Sequence, residues 1–377
     1  MRILLVGEYS RLHNSLKEGL QSLGHKVTLV GSGDAFKNYP VDILLERGFE
    51  KGWRKKLKVG IYKLTQIDIS AIALRRKFNT LKPKLKNYDV VQLINESSFK
   101  TTPKLELEIV QYLKNNNDKL FLLSCGTDTK SVSYTKTGKL PYSILTPLEL
   151  RKGKKEQYAY ALKYITPPYI DLHHKLHKLV DGIIATDLDY HLPYKGSKKY
   201  LGLIPNPVNK EDIQYEPLIF DTKIIIFQGI NRGNYYPKGQ DIFSKALEIV
   251  RLQASHKVHI ISTQNLPYKE YMKTYASCHI LLDQVYSLDQ GYNALEAMAR
   301  GKVVFTGAGK HFIQQYQLSE TVAIDAVPDA QKIADELLEL VNNPEKLLQI
   351  SKNAREFIEK HHDYKKVAQK YITTWGS

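Results

Sequence analysis

The stretch GYNALEAMARGKVVFTG, residues 291–307, decides how this chain is read. Gly291 interrupts a loop, a helical run carrying Glu296 follows, and Gly301 stops it. An apolar strand through Val303, Val304 and Phe305 comes next. A loop-to-helix turn aims backbone N–H groups and the positive end of the helix dipole at whatever lies before it, which favours phosphate. Glu296, five residues past the glycine, can reach sideways toward a sugar hydroxyl. Taken alone, the segment serves equally well as an ordinary αβ unit of a doubly wound sheet.

A second element upstream shifts that balance. The apolar run KIIIFQG (223–229) leads into INRGNYYPKGQD (230–241), which places Arg232 and Lys238 in a Gly- and Pro-punctuated loop before a helix over 242–252. Two cations on a loop at the carboxyl end of a parallel strand are well placed for a diphosphate. In these two segments the chain resembles the retaining glycosyltransferases of family 4, the "group 1" transferases of bacterial surface-polysaccharide type. Their G-x-x-R-x5-K-G pattern is matched from Gly229 to Gly239, and their G-x4-E-A-M-A-x-G-x-x-V pattern from Gly291 to Val304. IPNPVN (204–209) is similar to the family's I-P-N-G-V-D crossing segment, apart from Pro207 and Asn209.

The resemblance implies an α/β protein of GT-B type: two Rossmann-like, doubly wound domains facing a central cleft, with a C-terminal helix crossing back to the first. The expected divisions are an acceptor-binding domain over 1–205, a nucleotide-sugar domain over 206–355, and the returning helix over 356–377. The chain itself supports such a plan. RILLVG (2–7), a helix over 12–23 and HKVTLVG (25–31) make a βαβ opening. YDVVQLIN, KLFLLSCGTD, DGIIATDL and KYLGLIPNPV read as further strands of the first half, and KVHIIST, HILLDQ and KVVFTG as strands of the second. The Pro-Asn-Pro at 205–207 punctuates the junction. Helices are expected over 329–342 and from about 344 to 375, and one amphipathic helix with a basic rim over 59–81.

Composition bounds the rest. At 377 residues, 42% of them hydrophobic, the chain can bury two cores of ordinary size. Cys125 and Cys278 lie far apart without metal spacing, as in a reducing compartment. The opening apolar run is too short for a signal peptide, and no run is long enough to span a bilayer. The expected location is therefore cytoplasmic, peripheral on the inner membrane surface. Charge is unevenly spread: residues 1–205 carry 35 basic and 19 acidic side chains, residues 206–377 carry 20 of each. Within the first half, residues 47–86 hold 13 basic against 2 acidic. Such a surface suits nucleic acid, an anionic membrane or a polyanionic acceptor, or is simply a solvated helix face. The basic first half points to an anionic membrane surface through residues 47–86 and a lipid-linked or anionic glycan acceptor, with nucleic acid not expected.

Site residues follow from the resemblance. Arg232 and Lys238, with Gly291 and the backbone N–H groups of Tyr292 and Asn293, would hold the diphosphate of a UDP- or GDP-sugar. Glu296 would accept from the ribose hydroxyls. The family's E-x7-E motif is broken, because its first glutamate is Leu288 here. The group that meets the donor sugar is left open among Asp283, Gln284 and Asp289. SCGTD (124–128) stands where the family reads H-G-x-D. Cys125 replaces the histidine, Gly126 and Asp128 match, and Asp128 becomes the candidate polar group near the reacting centre. Gly7, Ser10, Arg11 and His13 are expected to line the cleft. No metal or other cofactor is expected. His173 and His177 have chelating spacing but no third ligand nearby in sequence, and the Asp-Leu-Asp at 187–189 falls in the wrong half for a donor metal. A nucleotide-sugar hydrolase or epimerase of the same fold, or a non-catalytic binding partner, are the alternative functions.

Overall fold

The computed structural model describes residues 1–32, 39–220, 222–264 and 268–376. The first sheet contains β1 (Arg2–Val6), β2 (Lys26–Gly31), β3 (Ile43–Leu44), β4 (Val90–Leu93), β5 (Lys119–Ser124), β6 (Gly182–Ala185) and β7 (Tyr200–Leu203), in the order β3-β2-β1-β4-β5-β6-β7. The second contains β8 (Ile224–Ile230), β9 (Val258–Gln264), β10 (Ile280–Leu282), β11 (Val303–Thr306) and β12 (Ile324–Asp325), in the order β12-β11-β10-β8-β9. All pairings within the sheets are parallel. The strand order reverses between β1 and β4 in one sheet and between β8 and β10 in the other. Ligands of open α/β sheets bind outside the carboxyl ends of strands at such switch points.

Both faces of each sheet are covered, which is why the strands read as unbroken apolar runs rather than alternating ones. Leu4, Val6, Val91 and Leu93 pack on one side with Leu105, Ile109, Leu172 and Leu176. Ile3, Leu5 and Val90 pack on the other with Leu12, Leu16, Val367, Tyr371 and Trp375. The last three belong to the helix Tyr364–Gly376, so the end of the chain completes the core of the first sheet. Helix Leu12–Ser22 meets this helix at Gly19, where a Cβ would lie 2.4 Å from the carbonyl oxygen of Tyr364. Only glycine permits that approach. In the second sheet, Ile226, Ile280 and Val303 pack against Phe243, Val250 and Leu337, and Phe227, Leu281 and Val304 share a cluster with Leu295, Met298 and Phe357.

The chain passes between the sheets twice, and the two passages are bonded to each other. Val208 donates to the His362 carbonyl at 2.7 Å, Tyr364 donates to the Val208 carbonyl at 3.2 Å, and His362 Nδ1 lies 2.8 Å from the Asn206 carbonyl. The expected single helix from 344 to 375 is broken there. Pro344–Phe357 runs into a π-helical turn, Ile358–His362, and Asp363 leaves helical geometry to make the crossing. The expected helix over 59–81 is likewise two, Gly52–Thr65 and Ile69–Leu81. Gln66 takes a left-handed φ of 57°, and the Asp68 side chain caps the second helix by accepting from the N–H groups of Ser70 and Ala71. Among the described residues, no helix is long and apolar enough to cross a membrane.

Candidate active site

The loop after β8 and the end of β10 meet at the switch point of the second sheet. Gly239, with φ +70°, turns the loop into helix Gln240–Ala254, and a Cβ there would lie 2.5 Å from Cβ of Val285. This turn brings Lys238 back over β10, where its Nζ sits 3.1 Å from Asp283 Oδ1. Asn293 Nδ2 donates to the same oxygen at 3.0 Å, while its own Oδ1 accepts from Tyr271 at 3.1 Å. Asp283 is only 3% exposed, yet its second oxygen, Oδ2, has no hydrogen-bond partner in the protein. That oxygen faces Gly291, the N-cap of helix Tyr292–Ala299. A buried carboxylate oxygen without a donor is costly unless a ligand supplies one.

The other sequence-predicted residues fall into two groups. Arg232 stays on the donor side but lies over β9, with its guanidinium 2.8 Å from Gln264 Oε1. The two cations thus flank β8 rather than sit together. Tyr292 and Asn293 occupy the first two helical positions, whose N–H groups make no intrahelical bond. The Tyr292 hydroxyl points away, bonding Ser15 Oγ at 2.8 Å and the Pro207 carbonyl. Glu296 is half-buried on the same helix. Gln284, Ser287, Gln290 and Gly291 face Thr127, Asp187 and Asp189 across a cavity of about 170 Å³ between the two sheets. Gly126, at φ +76°, lies against the Tyr9 ring on the first-domain side.

One expectation needs correction, and three other expected residues already hold partners within the protein. His13 does not line the cleft: it is fully buried, with Nδ1 2.7 Å from the Gly7 carbonyl and Nε2 3.2 Å from Gln92, and burial pushes it down to about 4. Arg11 turns outward to Glu18 and to Asp212, 2.7 Å away in the segment joining the sheets. Asp128 is a cap. One oxygen accepts from the Ser131 N–H and the other from the Ser124 and Tyr194 hydroxyls, within a closed buried network. Asp289 is buried beside the cavity, with one oxygen accepting from the Gln290 N–H and the other from the Leu188 N–H across the domains. Leu288 packs in the apolar cluster with Leu295 and Met298. Ser10 is left-handed at φ 52° and Gly7 at φ +88°, so the loop after β1 is tightly wound.

Of Asp187 and Asp189, set aside in the sequence as a metal pair, it is Asp189 that ties the domains together. Asp187 caps its own helix, while Asp189 crosses to Ser287 Oγ at 2.6 Å and to the Leu288 N–H at 3.2 Å. Burial pushes all three seam carboxyls up: Asp187 well above the usual range, Asp189 to about 6 and Asp289 to about 7, with their mutual repulsion adding to Asp187 and Asp289. The other titratable groups felt there are the phenols of Tyr142, Tyr190, Tyr200 and Tyr316. Groups with raised folded-state values stabilise fully below the unfolded value near 4 and lose that contribution as pH rises through the folded one. The contribution of these three carboxyls to stability is therefore expected to fall between about pH 4 and 7, against the opposite trend of buried histidines such as His13. Melting curves of Asp289→Asn should show a shallower decline than those of the parent chain, and identical slopes would contradict the assignment.

The two sheets, the cleft between them and the returning helix make the GT-B fold. Residues 241–373 match a family model described as "Glycosyl transferase-like". HepE from Anabaena, solved with UDP and glucose, is similar in structure at a TM-score of 0.58 and 13% identity, covering 100% of this chain and 99% of that one. Sucrose-phosphate synthase from Thermosynechococcus elongatus gives 0.56 at 15% identity, covering 100% and 98%. TarM from S. aureus, solved with UDP, fondaparinux and alpha-GlcNAc-glycerol, gives 0.54 at 15%, covering 79% and 58%. No curated protein matches the chain in sequence.

Proposed function

We propose that the chain is a glycosyltransferase that moves a sugar from a UDP-sugar to a glycan or lipid-linked acceptor with retention of configuration. The observation that carries this reading is the cluster at the β8–β10 switch point. Lys238 lies against Asp283, whose unpaired oxygen faces the N-terminus of helix Tyr292–Ala299, and Arg232 lies across β8 beside Gln264. Cations and helix N–H groups suit a diphosphate, and a buried acceptor oxygen suits a sugar hydroxyl. In the reaction, the bond from the anomeric carbon to the phosphate oxygen breaks. A bond from that carbon to the acceptor oxygen forms on the same face, and the acceptor proton passes to the departing phosphate. Lys238 and Arg232 stabilise the charge left on the diphosphate, a role that requires no metal at the donor site.

The test is donor consumption. UDP release from a panel of UDP-sugars should require an acceptor glycan and proceed in EDTA without added manganese or magnesium. Release without acceptor would favour hydrolysis, and rearranged donor without UDP release would favour epimerisation. Glu296→Gln should weaken UDP as well as the full donor, since its partner in this reading is the ribose. Unchanged UDP affinity by calorimetry would remove Glu296 from the site.

The acceptor half supports membrane attachment. Helix Gly52–Thr65 has no buried residue along its length. Trp53, Leu57, Ile61 and Leu64 recur at one-face spacing, with Trp53 69% and Leu64 87% exposed. By the same spacing Arg54 and Lys58 border one side of that stripe, and Lys56 and Lys63 the other. An apolar stripe edged by cations fits the interface of an anionic bilayer. Helix Ile69–Leu81, in contrast, buries Leu74 and Phe78 and is part of the core.

A further inference from the structure

We propose that Glu96, His173 and His177 form a binding site for a divalent zinc-like cation in the first domain, apart from the donor site. The two histidines lie one turn apart on helix Pro167–Leu179, and Glu96 follows β4, so the trio is assembled only by the fold. Their donor atoms all lie within 4.8 Å of one another. His173 Nδ1 contacts Glu96 Oε1 directly, His177 Nε2 is 3.5 Å from the same oxygen, and the two imidazole rings are 3.8 Å apart. Tetrahedral zinc, with bonds near 2.0–2.1 Å, sets its ligand atoms about 3.3 Å from each other, so a small opening of the His173–Glu96 contact seats the ion.

The surroundings are those of a prepared ligand set. Glu96 is 2% exposed and its other oxygen accepts from the Thr129 N–H at 3.2 Å, which fixes the carboxylate plane. Tyr194 donates to Asp128, and its hydroxyl lies 3.4 Å from His177 Nε2, beside the metal position. His177 is partly exposed and gives an entry path, leaving the fourth position to water. Two imidazole nitrogens and one carboxylate oxygen select zinc over magnesium or calcium, which prefer all-oxygen sets. The ion ties the loop after β4 to the helices starting at Thr129 and Pro167. It would therefore stabilise the acceptor-side wall of the cleft without touching the donor.

Calorimetric titration of chelator-stripped, desalted full-length protein with zinc chloride, in a buffer that competes weakly for zinc, tests the site. One equivalent is expected to bind and to raise Tm. His177→Asn is expected to lose about 100-fold or more in zinc affinity, beyond the 10–100-fold that outer-layer changes cost. Glu96→Gln should behave alike, and His256→Asn, an exposed histidine of the second domain, should bind as the parent does. UDP binding should be the same with and without zinc. Less than one equivalent bound by the parent chain, or equal zinc affinity in His177→Asn, overturns the proposal.

Discussion

Lys238→Ala is expected to lower turnover by a factor of about 30 to 1000, the roughly 2–4 kcal/mol that one preorganised charge-assisted contact contributes to a transition state. The loss should fall mainly on kcat, because charge on the diphosphate grows as the sugar departs. Arg232→Ala should act in the same direction. Its effect is expected at the lower end, since Arg232 is exposed and held by Gln264 over β9, whereas Lys238 is turned onto Asp283. Neither change removes core packing, so melting temperatures should stay close to the parent's. Near-normal steady-state kinetics in both variants would sink the diphosphate assignment.

The second large effect concerns vesicle binding. The chain should bind anionic vesicles far more tightly than neutral ones, with an attraction that salt screens over about 8 Å at physiological ionic strength. Each Lys or Arg near an anionic surface contributes about 1 kcal/mol. Changing Arg54, Lys55, Lys56, Lys58 and Lys63 together to glutamine is therefore expected to weaken binding by about a thousandfold or more. Folding should be spared, because no side chain of that helix is buried. Trp53→Ala with Leu64→Ala should weaken binding in a salt-independent manner, through lost apolar insertion. Equal sedimentation with neutral and anionic vesicles would point to a soluble anionic acceptor instead.

Strands and their order along the chain were legible, since a fully covered parallel strand leaves an apolar run bounded by glycine or proline. β3 and β12 were not, each being two residues long. The donor loop was legible for the same reason that it is compact: its glycines, cations and helix start lie within short stretches. Long-range pairings were the blind spot. Glu96 stands 77 positions from His173, and Asp189 98 from Ser287, so nothing local announces either pair. Asp128 carries a readable local signal as well. Asp-x-x-Ser before a short helix is a reciprocal cap, and Ser131 completes it. His13 misled because a histidine after a strand glycine looks functional, whereas here the Gly7 carbonyl and Gln92 absorb both ring nitrogens.

The returning helix has a consequence for how the molecule is made. A ribosome delivers β1 to β7 long before it reaches Tyr371 and Trp375, yet those residues cover Ile3, Leu5 and Phe121. The part of that face not covered by helix Leu12–Ser22 must therefore stay open while the whole second domain is translated. The first domain can close only when Gly19 seats against Tyr364, and until then its exposed apolar surface is prone to aggregation.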